Sequence, residues 1–235
     1  DIAVPLALRV PGRHNALNAT AALAALVSLG YDAAAAAAAL ESFAGVGRRF
    51  EVKGKARGVI VVDDYAHHPS EIAATLDAAR ESFPGRRLWA VFQPHTYSRL
   101  KALLPEFAAS LAEADRVLIL DVYAARETDD LGVSAVDLVH LLPPETTTAG
   151  DPGDAARRLA QAVRLGDVVL TLGAGNVTET GPLLLDRLRA TGPRERPEPV
   201  ESTNARGASA ASFTVPGHPG LKVQKDAPMR LRTTW

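Results

Sequence analysis

Four short apolar runs constrain this chain more than any other feature: residues 58–62 (Gly-Val-Ile-Val-Val), 88–92 (Leu-Trp-Ala-Val-Phe), 116–120 (Arg-Val-Leu-Ile-Leu) and 167–172 (Asp-Val-Val-Leu-Thr-Leu). Their apolar residues do not alternate with polar ones, so neither face of such a strand can lie against water. Helical stretches fall between them, near 69–83, 98–113, 134–142 and 152–165, with a last one near 177–190. Ser134 and Asp151 stand where helix N-caps belong, and Pro152 suits a first helical turn. Strands buried on both sides and separated by helices build βαβ units. The expected fold class is therefore α/β, with a mostly parallel sheet and flanking helices.

Sheets of this type bind ligands beyond the carboxyl ends of their strands. That rule singles out Asp63-Asp64-Tyr65-Ala66-His67-His68, Gln93-Pro94-His95, Asp121-Val122-Tyr123 and Gly173-Ala174-Gly175-Asn176. The flanking regions differ in texture. Residues 1–46 are Ala-rich and helical: Leu17, Leu23, Leu26 and Val27 recur at helical spacing before Gly30, and Asp32 caps an alanine run. Two such helices cannot enclose a core alone, so they read as the edge of a larger domain. The chain opens at Asp1 in mid-pattern and is expected to be a segment of something longer. Six of the 16 prolines fall in 191–235 among Ser, Arg and Glu, which marks that stretch as a linker or tail, disordered in isolation.

Composition removes whole classes of function. With 26 basic against 27 acidic residues in 235, the formal charge of −1 gives no basic excess for nucleic acid or an anionic membrane. The absence of cysteine excludes disulfides, thiolate metal sites and a cysteine nucleophile. No apolar run approaches the ~18 residues of a membrane span, and no signal segment opens the chain, so an intracellular, cytoplasmic protein is expected.

Two segments carry most of the chemistry. Asp63-Asp64-Tyr65-Ala66-His67-His68-Pro69 follows an apolar strand and precedes a helix with Glu71 in its first turn. Such a turn can offer a carboxylate to a ribose or metal and an imidazole to an anion or amine. The plainer alternative is that the aspartates only cap the turn. In Phe92-Gln93-Pro94-His95-Thr96-Tyr97-Ser98-Arg99, His95 and Arg99 bracket a helix start, where free N–H groups favour an anion and a guanidinium adds a bidentate clamp. Here the alternative is Ser98 as a simple N-cap beside a solvated Arg99. Arg48 and Arg49 are adjacent cations at a junction, where solvation is the ordinary state. Asn15 and Asn18 flank a helix start, and capping accounts for one of them. The glycines of 173–176 fit a tight strand-to-helix turn as well as a phosphate loop, and the third Gly of a dinucleotide fingerprint is missing.

Taken in order, Gly12-Arg13-His14-Asn15-Ala16-Leu17-Asn18-Ala19, Gly47-Arg48-Arg49-Phe50, the Asp63–Pro69 segment, Phe92-Gln93-Pro94-His95 and Gly173-Ala174-Gly175-Asn176 resemble the Mur ligases over residues 8–190. The double His and the Phe-Gln-Pro-His segment look like the branch that joins L-alanine to UDP-N-acetylmuramate. The resemblance implies that residues 1–46 close a central ATPase domain and that 47–190 form a C-terminal, Rossmann-like domain. It implies ATP and Mg²⁺, an acyl phosphate on the lactyl carboxylate, and attack by the alanine amine. Asn15, Asn18, Arg49 and Asp64 would then face ATP, and Tyr65, His67, His95 and Arg99 would form the amino-acid pocket. Thr96 stands where some relatives have Arg, which leaves the carboxylate clamp to Arg99. The chain carries no Gly-x-x-Gly-x-Gly-Lys-Thr/Ser phosphate loop, and the family's metal region and UDP-binding domain have no counterpart here. The metal ligands and the remaining ligase domains would therefore lie outside this segment, which alone would be inert. A segment that only binds nucleotide or amino acid is the competing reading. Another Mur-type ligase is disfavoured by His67-His68 with Gln93-Pro94-His95. Residues 221–235 resemble the opening of UDP-N-acetylenolpyruvoylglucosamine reductase, so a fusion of two peptidoglycan enzymes is a further possibility.

Overall fold

A computed structural model describes residues 2–190, 221–224 and 229–233, and these form two compact units. Among the described residues, the first comprises 2–45 with 221–224 and 229–233, and the second 46–190. In the first unit, β1 (Ile2–Leu6) precedes α1 (Arg13–Ser28) and α2 (Ala33–Glu41). Gly12, at φ +98°, turns the chain into α1, a backbone angle that a Cβ would oppose. Asp32 caps α2 by accepting from the Ala35 N–H at 2.9 Å. Val4 and Leu6 pack with Ala19, Leu23, Ala36 and Ala37, so a strand unforeseen in the sequence supplies the surface on which the two helices close. Within 191–235, the described residues are two strands, β8 (Leu221–Gln224) and β9 (Met229–Thr233), in the antiparallel order β1-β9-β8. The Arg and Lys positions of the tail's reductase-like motif fall in these strands and in residues outside the description.

The second unit is the α/β fold expected. Its strands are β2 (Glu51–Ala56), β3 (Val59–Asp64), β4 (Leu88–Phe92), β5 (Arg116–Leu120), β6 (Thr147–Ala149) and β7 (Val168–Leu172). They lie in the order β2-β3-β7-β4-β5-β6, with β2 alone antiparallel. Its helices are α3 (Pro69–Ser82), α4 (Tyr97–Ala102), α5 (Leu104–Leu111), α6 (Ala135–Val139), α7 (Pro152–Ala162) and α8 (Thr180–Ala190), the last preceded by a 3₁₀ turn, Asn176–Glu179. Alternate strand residues serve opposite cores. Val62, Ala90, Phe92 and Ile119 pack with Ile72, Leu76 and Phe107, whereas Val61, Val91, Leu118 and Leu120 pack with Leu159, Leu184 and Leu188. Helices on both faces explain why these strands show no polar side.

Three elements depart from expectation for local reasons. β2 is charged at Glu51, Lys53 and Lys55 and hides as an edge strand. It turns into β3 through Arg57 and Gly58, both at positive φ, the backbone signature of a tight hairpin. The helix expected near 98–113 is broken at Leu103, because Pro105 lacks the N–H that a continuous helix needs. β6 is only three residues long, too short to show a period. The caps at Ser134 and Asp151 form as expected: Asp151 accepts from Asp154 N–H at 2.8 Å, and Asp137 accepts from both N–H and hydroxyl of Ser134.

Candidate functional site

Inserting β7 between β3 and β4 brings the carboxyl ends of these three strands level. Asp64 and Phe92 both pair with Leu172, and Phe92 also pairs with Ile119 of β5. The polar loops after β3, β4, β5 and β7 therefore open at one end of the sheet, in the second unit.

The aspartates lie deepest. Asp63 is fully buried and accepts from Arg48 Nε at 3.3 Å, Thr171 Oγ1 at 2.5 Å and Thr178 Oγ1 at 2.8 Å. Asp64, 4% exposed, accepts from the Phe50 N–H through one oxygen and from the Ala66 N–H through the other, both at 2.8 Å. Arg48 also donates to the carbonyls of Gly173 and Gly175. Of the two adjacent arginines, Arg48 is thus an internal tie. The Arg49 guanidinium carries no side-chain hydrogen bond among those described and lies 6.0 Å from the Tyr65 ring centre. Residue type and spacing do not separate them, and only the resemblance picks out Arg49; in the fold, Arg48 sits at φ +60° with its side chain turned inward.

Above the aspartates runs a chain of rings. Tyr65 meets His67 edge-on at 5.2 Å, His67 meets His95 at 6.1 Å, and His95 stacks on Tyr123 at 5.6 Å and 22°. His67 Nδ1 is 3.0 Å from the Tyr65 carbonyl. A carbonyl only accepts, so this contact places the ring proton on Nδ1 and leaves Nε2 as the acceptor of the neutral ring. Glu71 fixes the turn by accepting from the N–H groups of His67 and His68. Arg99 donates to the His95 carbonyl at 3.3 Å and lies 3.5 Å from its Nδ1. Burial, then the positive charge of Arg99 and the neighbouring His67, hold the His95 imidazole below its ordinary value, so it favours the neutral form.

Arg49, Tyr65, His67, His95 and Arg99 therefore converge, with Asp64 beneath them. Asn15 and Asn18 lie on α1 of the other unit: Asn15 donates to the Pro11 carbonyl at 2.6 Å, Asn18 is exposed, and the N-cap is Gly12 instead of either. The start of α4 is not the open anion site that the sequence suggests. The Glu127 carboxylate already accepts from the Tyr97 and Ser98 N–H groups and the Ser98 hydroxyl, and Thr96 is the N-cap. An incoming carboxylate is left with the Arg99 guanidinium. The glycines of 173–176 serve close packing: a Cβ on Gly173 would meet the Gln93 carbonyl oxygen at 2.9 Å, and one on Gly175 the Tyr123 ring at 2.8 Å. Gln93 joins this turn, donating to Asn176 Oδ1 and accepting from Val177 N–H. Glu127 carried no sequence signal, since it acts through partners about 30 residues away, and Gln93 was marked by its strand-end position but not by this role.

The model of the domain described as "Mur ligase, glutamate ligase domain" matches residues 48–175, the strands and loops that build this cluster. The chain belongs to the Mur ligase family. This Mur ligase segment is 50% identical over 184 residues to the UDP-N-acetylmuramate–L-alanine ligase of Paenarthrobacter aurescens, covering 78% of this chain and 40% of that one. It is 49% identical to the ligase of the same name from Caldanaerobacter subterraneus subsp. tengcongensis, over 76% of this chain and 39% of the relative. Among solved structures, the UDP-N-acetylmuramate–alanine ligase MurC of Thermotoga maritima matches with a TM-score of 0.63 and 32% identity, over 80% of this chain and 40% of that one. The murein peptide ligase of Psychrobacter arcticus matches at 0.58 and 28%, over 78% of this chain and 38% of that one. The segment thus spans about two fifths of these relatives, with the Mur ligase C-terminal fold as its second unit. Among the described residues, no three His, Asp or Glu side chains converge as metal ligands do, and no helix is long and apolar enough to cross a membrane.

Proposed function

We propose that this segment supplies the amino-acid pocket of a cytoplasmic, ATP-dependent ligase that joins L-alanine to UDP-N-acetylmuramate in peptidoglycan synthesis. The observation that carries the reading is the convergence of Arg99, His95, His67 and Tyr65 at one end of the sheet, in a chain about half identical to relatives named for that reaction. L-Alanine is small, and its amine must remain free to attack the acyl phosphate. Most of its binding energy must therefore come through its carboxylate, and a guanidinium grips both oxygens in one plane. Arg99 has that role in this reading. The His95 imidazole beside it favours the neutral form and so adds no charge of its own next to Arg99.

Asn15, Asn18, Arg49 and Asp64 are assigned to the nucleotide. Arg49 suits an anion, since its guanidinium is committed to no carboxylate among the described residues. Asp64 can reach a ribose hydroxyl only through lone pairs left over from its two backbone bonds. Mg²⁺ would screen the phosphates during transfer to the lactyl carboxylate, held mainly by residues outside this segment. The test is a panel of amino acids offered to a full-length ligase carrying this segment, with ADP release and product mass recorded. L-Alanine should give the highest kcat/KM, with release that depends on UDP-N-acetylmuramate. A better substrate with an acidic side chain would overturn the assignment.

A further inference from the structure

The loop that presents His95 and Arg99 adopts a backbone that its sequence resists. Thr96, between them, sits at φ +71° and ψ +138°, close to a region occupied almost only by glycine, and its β-branched side chain makes that conformation worse. Its own hydroxyl caps α4 through a long 3.4 Å contact with Arg99 N–H, a weak hold for a strained residue. A six-residue helix has little stability of its own. Something outside the loop must keep it in place.

Gln93, at the start of the loop, is held by Leu172, Asn176 and Val177, whereas the ties on residues 94–98 come from the loop after β5. Tyr123 donates its N–H to the Pro94 carbonyl at 2.8 Å and accepts from Thr96 N–H at 2.9 Å, while its ring covers His95. Glu127 closes the other side, accepting from the N–H groups of Tyr97 and Ser98 and from the Ser98 hydroxyl. We propose that Glu127 is a positioning residue for the amino-acid pocket: its carboxylate clamps the strained 93–99 loop so that Arg99 and His95 are set before substrate arrives. The inference rests on the reading of Arg99 as the partner of the amino-acid carboxylate. Glu127 itself needs no contact with substrate, because both its oxygens are taken up by Tyr97 and Ser98. The Ser98 hydroxyl, burial notwithstanding, and the two N–H groups hold its carboxyl below the usual range, so the clamp is charged at neutral pH. Glu127 belongs to neither apolar core, so its loss should loosen a loop and leave the fold standing.

Two measurements separate this clamp from a merely structural cap. In the 235-residue chain, amide hydrogen exchange at Tyr97, Ser98 and Arg99 should quicken about tenfold or more in Glu127→Ala, with strand amides of β4 and β7 unchanged. In a full-length ligase carrying this segment, Glu127→Ala should raise the KM for L-alanine about tenfold and move the KM for ATP less than about twofold, with Glu127→Gln intermediate because its amide oxygen still accepts. Arg99→Ala run in parallel makes failures distinguishable. Unchanged exchange at 97–99 overturns the clamp. Faster exchange with an unmoved alanine KM also overturns it if Arg99→Ala does raise that KM. If neither variant moves the alanine KM, the amino-acid reading of the pocket falls with it.

Discussion

Asp64 shows how a residue can look like ligand chemistry in a sequence and serve the backbone in the fold. Both of its oxygens accept main-chain N–H groups in a buried site. Asn there has one acceptor oxygen, and its amide group would face an N–H. Asp64→Asn should therefore cost about 1–3 kcal/mol, read as a lowered denaturation midpoint. An unchanged midpoint would return Asp64 to a purely ligand-facing role. Asp167 makes a similar case at the opposite end of the sheet. It is 3% exposed and accepts from Arg87 through two nitrogens, from Trp89 Nε1 and from Arg164 N–H. Burial raises its pKa, but these bonds outweigh burial and hold it below the ordinary 3.8. Asp167→Ala should cost about 3 kcal/mol, because it strands a half-buried guanidinium. His95 loses stability in the same direction, as pH falls, but because its charged form is disfavoured instead of held. Its pKa is lowered on folding from 6.5, so the unfolded chain binds a proton that the folded imidazole refuses. Its effect on stability is absent above about 6.5 and becomes a penalty as pH falls toward the lower folded value. Titration of the ring by NMR should show a midpoint below that of free histidine; an equal or higher midpoint would contradict its burial beside Arg99. At this scale residue type and strand-end position pointed to Tyr65, His67, His95 and Arg99, which the fold brings together. Residue type alone could not separate Arg48 from Arg49, which only the resemblance did, or reveal Glu127, because those distinctions depend on backbone turns and long-range hydrogen bonds.

Among elements, the runs that became β4 and β5 were legible to the residue, since a strand buried on both faces leaves no other pattern in a sequence. β1, β2 and β6 were not. β2 alternates charge at a sheet edge, β6 has three residues, and β1 adjoins an Ala-rich region dominated by helical periodicity. The turn after β7 was legible as a turn, yet the reason for its glycines appears only with its neighbours in place. Gly175 lies against the Tyr123 ring and the Gln93 side chain, so a methyl there must displace the loop that covers His95. Gly175→Ala should lower the denaturation midpoint by the equivalent of about 1–3 kcal/mol. The His95 and Tyr123 ring resonances should shift with it. A variant as stable as the parent with unmoved ring resonances would show that the turn has slack.

At the level of the whole molecule, the second unit covers both faces of its sheet, the first requirement for independent folding. A fragment of residues 46–190 should give cooperative unfolding and resist proteolysis; rapid digestion throughout would place the boundary elsewhere. The 235-residue chain lacks a Gly-Lys-Thr/Ser phosphate loop, so alone it should release no phosphate from ATP in the presence of UDP-N-acetylmuramate and L-alanine. Alanine-dependent turnover by this chain would contradict that division of labour. The central claim, however, is that the loop after β4 holds the amino acid while other loops serve the nucleotide. Steady-state kinetics of Arg99→Ala in a full-length ligase, with L-alanine and ATP varied separately, test it most directly. Losing a bidentate grip on a carboxylate, worth about 1.5–3 kcal/mol per charged hydrogen bond, should weaken alanine use about a hundredfold and leave the ATP KM nearly unchanged. A raised ATP KM with an unaltered alanine KM would contradict the account.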